Sequence, residues 1–305
     1  MSRTPLPEPH ATAKRTLPEL ADRARRGERL VVVTAYDAPS ARLAEEAGMD
    51  MILVGDSAGT TVMGLDSTVP VTMDDMLVFT RAVTRGTRRA IVIADMPFGS
   101  YQVSEDVAIA NAVRFVQEAG ADAVKLEGAG RSLTRVGGIV AAGIPVMGHI
   151  GLTPQSATQL GGYKAQGRTA AAARRLVGEA MALERAGCFS IVLEAIPAFV
   201  AERITAAVGV PTIGIGAGAG CSGQVLVWHD LLGLLPETPP RFVKQYADTR
   251  GVIRDALARY VAEVREGVFP GEGHTYGMPD AERYRFETES ADPTPRRGRD
   301  RDPVR

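Results

Sequence analysis

The chain has 305 residues and is 45% hydrophobic, which is enough apolar material for a sizeable core. Its 35 basic residues nearly balance its 36 acidic residues, so the composition indicates neither a nucleic-acid-binding face nor an acidic solvating tail. Two cysteines, Cys188 and Cys221, lack a C-x-x-C spacing and argue against a disulfide framework or a structural zinc site. Without an apolar stretch of about 18 residues or a hydrophobic signal region, the sequence is typical of a cytoplasmic protein with no membrane contact.

The two ends of the chain differ in composition from its middle. Residues 1–15 are rich in proline, and residues 287–305 are charged and proline-rich with almost no apolar content. Such segments bury too little surface to offset the entropy of ordering, so we expect both to be disordered. The region between them, residues 16–286, is predicted to form a single domain.

Short apolar runs recur along this middle region, and several follow a helical stretch that ends in Ala-Gly. Glycine after a helix is typical of a left-handed C-cap, and the apolar run that follows is typical of a strand buried on both faces. The eight predicted strands lie, in chain order, within RLVVVTAYD, GMDMILVGD, RRAIVIADM, GADAVKLEG, GIPVMGHI, GCFSIVLEA, VPTIGIGAG and GQVLVWHD. Helices are predicted at residues 38–47, 73–86, 105–119, 131–142, 169–186 and 198–208, and residues 240–266 should supply a closing helix or pair of helices.

This alternation of strands and helices predicts the architecture. Eight strand units without a dinucleotide-binding half boundary favour an α/β fold of the (β/α)8 TIM-barrel type. A doubly wound parallel sheet is the alternative. The eighth strand carries the weakest pattern.

Titratable side chains stand where most of the predicted strands end. They are Asp37, Asp56, Asp95, Lys125, Glu127, His149 and Glu194. In a barrel these strand ends meet at one rim, and burying so many charges together requires a ligand, a metal ion or mutual pairing. Asp56 or Asp95 alone would more often be the N-cap of the next helix, so the inference depends on the convergence.

Two of these acids favour a metal site made of oxygen ligands. Asp56 and Asp95 follow different strands, and Glu127, at the end of another strand, is expected near them. No His/Cys cluster accompanies these acids. Mg²⁺ prefers octahedral oxygen ligands and usually takes one or two carboxylates together with waters and ligand oxygens. Mg²⁺ is therefore the expected ion, Mn²⁺ would be tolerated, and zinc is disfavoured.

The remaining groups at the rim leave alternatives open. Apolar neighbours around Glu194 imply poor solvation, which would make it a stronger base, but it could equally pair with an arginine across the rim. Lys125 could neutralise a substrate carboxylate or pair with Glu127. His149 could donate a hydrogen bond to an oxyanion or be a structural histidine. Gly216 and Gly218 could let backbone N–H groups approach a ligand, or could serve a tight turn that needs positive φ.

A series of motifs between about Thr34 and Tyr246 adds a resemblance to this interpretation. The motifs are TAYD, VGDSAG, TVPVTMDDM, IADMPFGSY, VKLEG, IPVMGHIGLTPQ, VLEAIPA, IGIGAGAGCSGQVLVWHDLLG and FVKQYAD. In this order and spacing they resemble the ketopantoate hydroxymethyltransferase family. By motif, the resemblance implies Mg²⁺ ligands at Asp56, Asp95 and Glu127, and a 2-oxoacid site at Asp56, Ser57, Asp95 and Lys125.

The resemblance also implies an activity and an assembly. The family transfers a hydroxymethyl group from 5,10-methylenetetrahydrofolate to 3-methyl-2-oxobutanoate, giving 2-dehydropantoate for pantothenate and coenzyme A synthesis. Glu194 matches the family's proton acceptor, which would form a Mg²⁺-stabilised enolate that attacks the folate methylene group. The family is typically a cytoplasmic homodecamer, so we expect this chain to self-associate.

Two positions depart from the family pattern. Phe79 stands where a histidine is expected, and because it lies on a predicted helix it should affect packing or assembly more than catalysis. Ser222 stands where an aspartate is usual, in the glycine loop that we expect near the barrel mouth, where it could alter loop order or folate binding.

Two other classes of function compete with this one. A lyase or phosphonomutase of the phosphoenolpyruvate mutase and isocitrate lyase type also binds a Mg²⁺-chelated 2-oxoacid enolate, but it carries a cysteine-containing catalytic loop. No cysteine follows VKLEG at that place, and Cys188 precedes a strand. A barrel that binds a ketoacid or a partner protein without turnover is the non-enzymatic alternative, and the presence of the acids and Glu194 disfavours it.

Overall fold

Eight parallel strands close into a barrel in a computed structural model, which describes residues 13–235 and 238–289. Each strand pairs with its neighbour in sequence, and the first strand pairs with the last to close the ring. The predicted (β/α)8 barrel is confirmed. The strands are β1 Leu30–Thr34, β2 Met51–Val54, β3 Ile91–Asp95, β4 Ala123–Glu127, β5 Val146–Gly151, β6 Ser190–Glu194, β7 Thr212–Ile215 and β8 Gly223–Leu226.

Helices follow most of the strands, and the predicted helical segments agree with them to within one residue at either end. Three short helices, Ala58–Thr61, Ala157–Leu160 and Trp228–Leu231, lie among the loops that follow strands. In the predicted closing segment a single helix, Thr249–Arg265, forms, and residues 240–248 are not helical. The helices are α1 Leu17–Arg25, α2 Ala38–Glu46, α3 Ala58–Thr61, α4 Met73–Gly86, α5 Glu105–Ala119, α6 Ser132–Ala141, α7 Ala157–Leu160, α8 Ala170–Arg185, α9 Ala198–Ala207, α10 Trp228–Leu231, α11 Thr249–Arg265 and α12 Asp280–Glu289.

The core has two layers because successive strand residues point to opposite faces of the sheet. One set of strand residues packs against the surrounding helices, as Val92 and Val124 do. The alternate set fills the inside of the barrel. This inner set consists of Leu30, Val32, Met51, Leu53, Ile91, Ile93, Ala123, Met147, Val192, Ile213 and Val225.

The connection between β7 and β8 has no helix in residues 216–222. It begins at the mouth and ends at the opposite end of the barrel, where the Ser222 hydroxyl accepts from Thr212 N, at the start of β7, and the Ser222 carbonyl accepts from Leu30 N, at the start of β1. The prediction that Ser222 lies near the mouth is therefore wrong. The glycine loop spans the height of the barrel, and its last residue joins the strand starts.

The chain divides into two compact units, residues up to Arg250 and residues from Gly251 onward. The first unit contains the barrel. In the second, the rest of α11 and all of α12 have no buried residue. The segments predicted to be disordered, 1–15 and 287–305, lie largely outside the described residues. Among the described residues, no helix is both long and apolar enough to cross a membrane.

Candidate active site

Strand alternation directs five titratable side chains into the mouth of the barrel. Asp95 continues the inward set of β3, and Lys125 and Glu127 continue that of β4. His149 and Glu194 follow by the same two-residue period on β5 and β6. The convergence of strand ends predicted from the sequence is therefore what the structure shows for these residues.

Asp56 joins the group from the turn after β2. Its backbone N–H donates to Asp95 Oδ2 at 3.2 Å. Asp95 also forms an ion pair with Lys125, whose Nζ lies 2.8 Å from Asp95 Oδ1. All three side chains are buried. Lys125 thus pairs with Asp95 rather than with Glu127, its neighbour along the chain.

Burial sets the charge pattern of this group. Burial, and then the carboxylates of Asp95 and Glu127, raise the pKa of Asp56 well above its usual value. Burial also raises the pKa of Asp95, although the Lys125 ammonium opposes it. Burial lowers the pKa of Lys125, but the surrounding acids outweigh it and the pKa is raised, so Lys125 remains an ammonium.

His149 connects the acids of β4 and β6. Its Nδ1 lies 3.4 Å from Glu127 Oε1, and its Nε2 lies 3.2 Å from Glu194 Oε2. Burial and the Lys125 ammonium lower the pKa of His149, but the contacts with the two glutamates outweigh them and raise it to about 9. The effect of burial on Glu127 is outweighed by His149, together with Lys125 and the Gln155 N–H, so the pKa of that carboxyl is lowered. Glu194 is paired with a histidine rather than an arginine, and its side chain is 16% exposed.

Ser57 is held by an aromatic residue that the sequence analysis did not select. Tyr36 OH lies 2.8 Å from Ser57 Oγ, and either hydroxyl can be the donor. The Tyr36 ring makes an edge contact with Phe79 of α4, with ring centroids 6.3 Å apart. Phe79 therefore contributes packing behind Ser57. Asp37, the other acid of this strand end, caps α2 by accepting from Ser40 N and takes no part in the site.

Gln155 and Tyr101 are the other buried residues that the sequence analysis missed. Gln155 lies in the short 3₁₀ turn Pro154–Ser156 after β5, and its amide nitrogen donates to Asp56 Oδ2 at 3.0 Å. Tyr101 OH donates to Gln155 Oε1 at 2.7 Å. The sequence contains one signal for Gln155, since it follows Thr153-Pro154 directly after the strand that carries His149.

Two adjoining chambers open above these residues. The inner chamber has a volume of about 590 Å³ and is lined by the titratable group together with Ser57. The outer chamber, of about 1140 Å³, lies over the loops that follow β6 and β7, and its wall includes Arg168, Gly216, Gly218 and Arg241. Tyr163, Glu194, Pro240 and Phe242 line both chambers. Glu194 is therefore the carboxylate common to the two spaces.

The two glycines at this wall have a conformational role. Gly216 and Gly218 both have positive φ, at 64° and 79°. A Cβ on Gly216 would lie 2.8 Å from the Phe242 ring, so this position also needs the absence of a side chain. Their positive φ is what a tight turn needs, and both glycines also line the outer chamber, where a ligand could approach their backbone.

The donor set at the mouth fits a hard divalent cation. In residues 13–235 and 238–289, no group of three or more His, Cys, Asp or Glu side chains is placed to hold a metal ion. Mg²⁺ commonly takes one or two carboxylates and completes its shell with water and ligand oxygens, so a closed protein cage is not required. Apart from ion pairs with Lys125 and His149, the buried atoms Asp95 Oδ1 and Glu127 Oε1 lack a hydrogen-bond partner within those ranges. Buried carboxylate oxygens of this kind are the hard donors that Mg²⁺ prefers.

Comparison with known sequences identifies the family. The family profile described as ketopantoate hydroxymethyltransferase matches residues 14–272. The chain belongs to the ketopantoate hydroxymethyltransferase family. A relative from Nitratidesulfovibrio vulgaris, named 3-methyl-2-oxobutanoate hydroxymethyltransferase, is 57% identical over 84% of this chain and 83% of its own length. A relative of the same name from Heliobacterium modesticaldum is 55% identical over 88% of this chain and 97% of its own length. Membership of this ketopantoate hydroxymethyltransferase family makes the chain a hydroxymethyl-transferring enzyme.

Solved structures of more distant proteins share the fold of this family member. Phosphonopyruvate hydrolase in complex with oxalate and Mg²⁺ aligns with a TM-score of 0.54 and 13% identity, over 90% of this chain and 97% of that one. 2,3-Dimethylmalate lyase, of the PEP mutase/isocitrate lyase superfamily, aligns with a TM-score of 0.53 and 15% identity, over 90% of this chain and 98% of that one. At such identities the likeness concerns the barrel alone, so the lyase alternative gains support only at the level of the fold.

Proposed function

We propose that this chain transfers a hydroxymethyl group from 5,10-methylenetetrahydrofolate to 3-methyl-2-oxobutanoate and forms 2-dehydropantoate, a step of pantothenate biosynthesis. The family and the names of its relatives support the reaction. The observation that carries the proposal at the site is the position of Glu194, a carboxylate that borders both an inner and an outer chamber. A reaction that joins two substrates needs two adjoining spaces, and Glu194 lies where these two spaces meet.

The proposed cofactor is Mg²⁺, with Asp56, Asp95 and Glu127 as the residues that would hold it. Their hard oxygen donors support this assignment, and so does the complex of phosphonopyruvate hydrolase, a protein of the same fold, with oxalate and Mg²⁺. When bound, Mg²⁺ would act as a Lewis acid toward the negative charge that develops on the keto oxygen.

The protein's own groups bind the 2-oxoacid in this proposal. The Ser57 hydroxyl donates to the substrate carboxylate, with Tyr36 OH behind it to fix its direction. Lys125 carries a permanent positive charge in a buried place, where it attracts the anionic substrate more strongly than it would in water. The inner chamber of about 590 Å³ exceeds the needs of a five-carbon acid, which leaves room for ordered water.

Glu194 is the proposed general base. It removes the C3 proton of the 2-oxoacid, and His149 at 3.2 Å fixes the carboxylate in place. The C3 carbon then forms a bond to the one-carbon unit. Both C–N bonds of the donor methylene break, water supplies the hydroxyl oxygen, and the two nitrogens each gain a proton. A positioned base contributes about 10² to 10⁴ in rate to such a step.

The outer chamber is the proposed site of the folate. Tyr163 and Phe242 offer aromatic surface to its fused ring at the boundary with the inner chamber. Arg168 and Arg241 on the same wall offer positive charge to its glutamate carboxylates. The cytoplasmic location and the homodecameric assembly implied by the family resemblance belong to this proposal as well.

A proton NMR time course tests the reaction. The protein is incubated in D₂O with 3-methyl-2-oxobutanoate, 5,10-methylenetetrahydrofolate and Mg²⁺, with and without EDTA. We expect new hydroxymethyl signals that disappear with EDTA. Deuterium at C3 without product would support the base and the metal but remove the assignment of the outer chamber to folate. If neither deuterium exchange at C3 nor product is observed, the proposed function is overturned in favour of a binding role.

A further inference from the structure

Gln155 occupies a position that connects acids from two different strands. Its side chain is buried, with the residue 6% exposed, and it enters the mouth from the turn after β5. The amide Nε2 donates to Asp56 Oδ2 at 3.0 Å and to the carbonyl oxygen of Met96 at 2.9 Å. The backbone N–H of the same residue donates to Glu127 Oε2 at 3.0 Å. One residue thus holds one oxygen of each of two carboxylates, one from the turn after β2 and one at the end of β4.

The direction of this amide is fixed by its surroundings. Both partners of Nε2 are acceptors, so a flipped amide would place Gln155 Oε1 against two oxygens. On the other side, Oε1 accepts from Tyr101 OH at 2.7 Å, and that hydroxyl accepts from Glu127 N at 3.2 Å. Every polar atom of the Gln155 side chain has a hydrogen-bond partner, and only one orientation of the amide fits these partners.

The consequence for the acids is orientation. Asp56 and Glu127 each have one oxygen bound by Gln155, and each keeps a second oxygen that Gln155 does not occupy. For Glu127 that second oxygen, Oε1, has no hydrogen-bond partner among the described residues apart from its ion pair with His149 Nδ1 at 3.4 Å. Residues that hydrogen-bond metal-binding carboxylates set the direction of the oxygens that remain for the ion.

We propose that Gln155 is a positioning residue that aligns Asp56 and Glu127 for the divalent cation, with Tyr101 fixing the direction of its amide. The inference rests on the proposed function, since it assumes that these acids hold the ion. A purely structural glutamine would anchor its turn through the Met96 carbonyl and would leave cation affinity unchanged.

The first test is the affinity for Mn²⁺, measured by electron paramagnetic resonance of the free ion on the full chain without substrate. Gln155→Met keeps the length of the side chain and the backbone N–H bond to Glu127, but it removes the side-chain bonds to Asp56 and Met96, so we expect a dissociation constant about 10- to 100-fold higher. The control is Gln102→Met, because the exposed Gln102 touches Gln155 Oε1 at 3.3 Å but is bonded to neither acid. It should change the affinity less than about twofold, and equal affinities for both variants and the wild type would overturn the inference.

The second test is a double-mutant cycle with Tyr101→Phe, a change mild enough to preserve the fold. Tyr101→Phe alone should weaken Mn²⁺ binding by a few fold, since the amide loses the hydroxyl that fixes its direction. If Tyr101 acts through Gln155, the double variant binds about as weakly as Gln155→Met alone. Fully additive effects would overturn the role given to Tyr101 and its connection with Gln155.

The activity of the same variants separates positioning from general damage. Saturating Mg²⁺ should restore most of the turnover of Gln155→Met, because only the cation affinity has fallen. A turnover that excess Mg²⁺ does not restore, with unchanged Mn²⁺ affinity, would indicate a structural role and refute positioning. If the wild type itself binds no Mn²⁺, the proposed metal function fails, and that outcome is distinct from a failure of the Gln155 inference.

Discussion

The two ends of the barrel use buried and half-buried acids in opposite ways. At the end where strands begin, Asp50 Oδ2 accepts from Val31 N at 2.9 Å, and Asp122 Oδ2 accepts from Val92 N at 2.7 Å. Glu45 accepts from three successive backbone N–H groups just before β3. These acids therefore accept hydrogen bonds from backbone N–H groups. At the mouth, Asp95 and Glu127 instead lie close enough to raise the pKa of Asp56, and Glu127 also raises that of Asp95.

This difference shows where folding stability and function reside. Acids bonded to backbone N–H groups satisfy donors that would otherwise be buried without a partner, so they stabilise the barrel. Acids that face each other in a buried space cost stability, and such groups with perturbed pKa values cluster at functional sites. The comparison therefore predicts opposite effects for equivalent substitutions at the two ends.

The largest effect is expected for Asp95→Ala. Loss of this carboxylate removes a proposed metal ligand and leaves Lys125 without its closest acid, so turnover should fall by about 10³-fold or more. The measurement is the initial rate with Mg²⁺ varied up to saturation. The control is Asp122→Asn, at the opposite end of the sheet, which should keep kcat within about twofold. Normal turnover in Asp95→Ala would refute the metal assignment.

Glu194→Gln should come next in size. The amide cannot accept the C3 proton, so kcat should fall by about 10² to 10⁴-fold while the 2-oxoacid and Mg²⁺ still bind. The decisive measurement is deuterium incorporation at C3 in D₂O, followed by NMR. Glu184→Gln provides the matched control, because Glu184 bonds Gly209 N far from the mouth. Exchange at the wild-type rate in Glu194→Gln would assign the base to another group.

Glu45→Gln tests the stabilising end of the comparison. Replacing a charged acceptor of three N–H groups by a neutral one should lower the free energy of unfolding at pH 7 by about 2 kcal/mol, with kcat unchanged. Burial raises the pKa of Glu45, but the backbone N–H groups outweigh it and the pKa is lowered in the folded state. Its stabilisation is thus present above the usual glutamate pKa of about 4.3 and is lost as the pH falls through the folded value. Urea midpoints of both proteins should converge in acid, and a constant difference would contradict this account.

The smallest effect, and one of opposite sign, is expected for Asp56→Asn without metal. The pKa of Asp56 is raised in the folded state, so ionising this carboxyl lowers the stability as the pH rises through the folded pKa. Below the usual aspartate pKa of about 3.9 the carboxyl is protonated in both states and this cost is absent. With EDTA at pH 8, the variant should be more stable than the wild type by about 1 kcal/mol, and the gain should shrink in acid. A loss of stability at pH 8 would show that this acid stabilises the fold as those at the other end do.

The fold and most of the mouth could be predicted because both depend on local patterns. The two-residue period of each strand is enough to direct Asp95, Lys125, Glu127 and Glu194 inward once the barrel is assumed. Gln155 could not be found this way. Its contact with Asp56 spans 99 positions and depends on the path of a turn, which no periodicity encodes.

The error at Ser222 has a related cause. A glycine-rich loop after a strand suggests proximity to the mouth, but without a helix to return the chain, the loop itself must cover the height of the barrel. Asp37 shows the opposite limit, since an acid after a strand that caps the next helix has the same sequence pattern as one in the site.

The position of Glu194 between the two chambers has a consequence for the path of the substrate proton during a turnover. A carboxylate that faces one substrate in the inner chamber and another in the outer chamber can take a proton from carbon on one side and deliver it to nitrogen on the other. The base then returns to its starting charge within the same cycle. In the proposed reaction the second substrate resets the base, which needs no buffer for this, and in the absence of that substrate the proton on Glu194 exchanges with solvent.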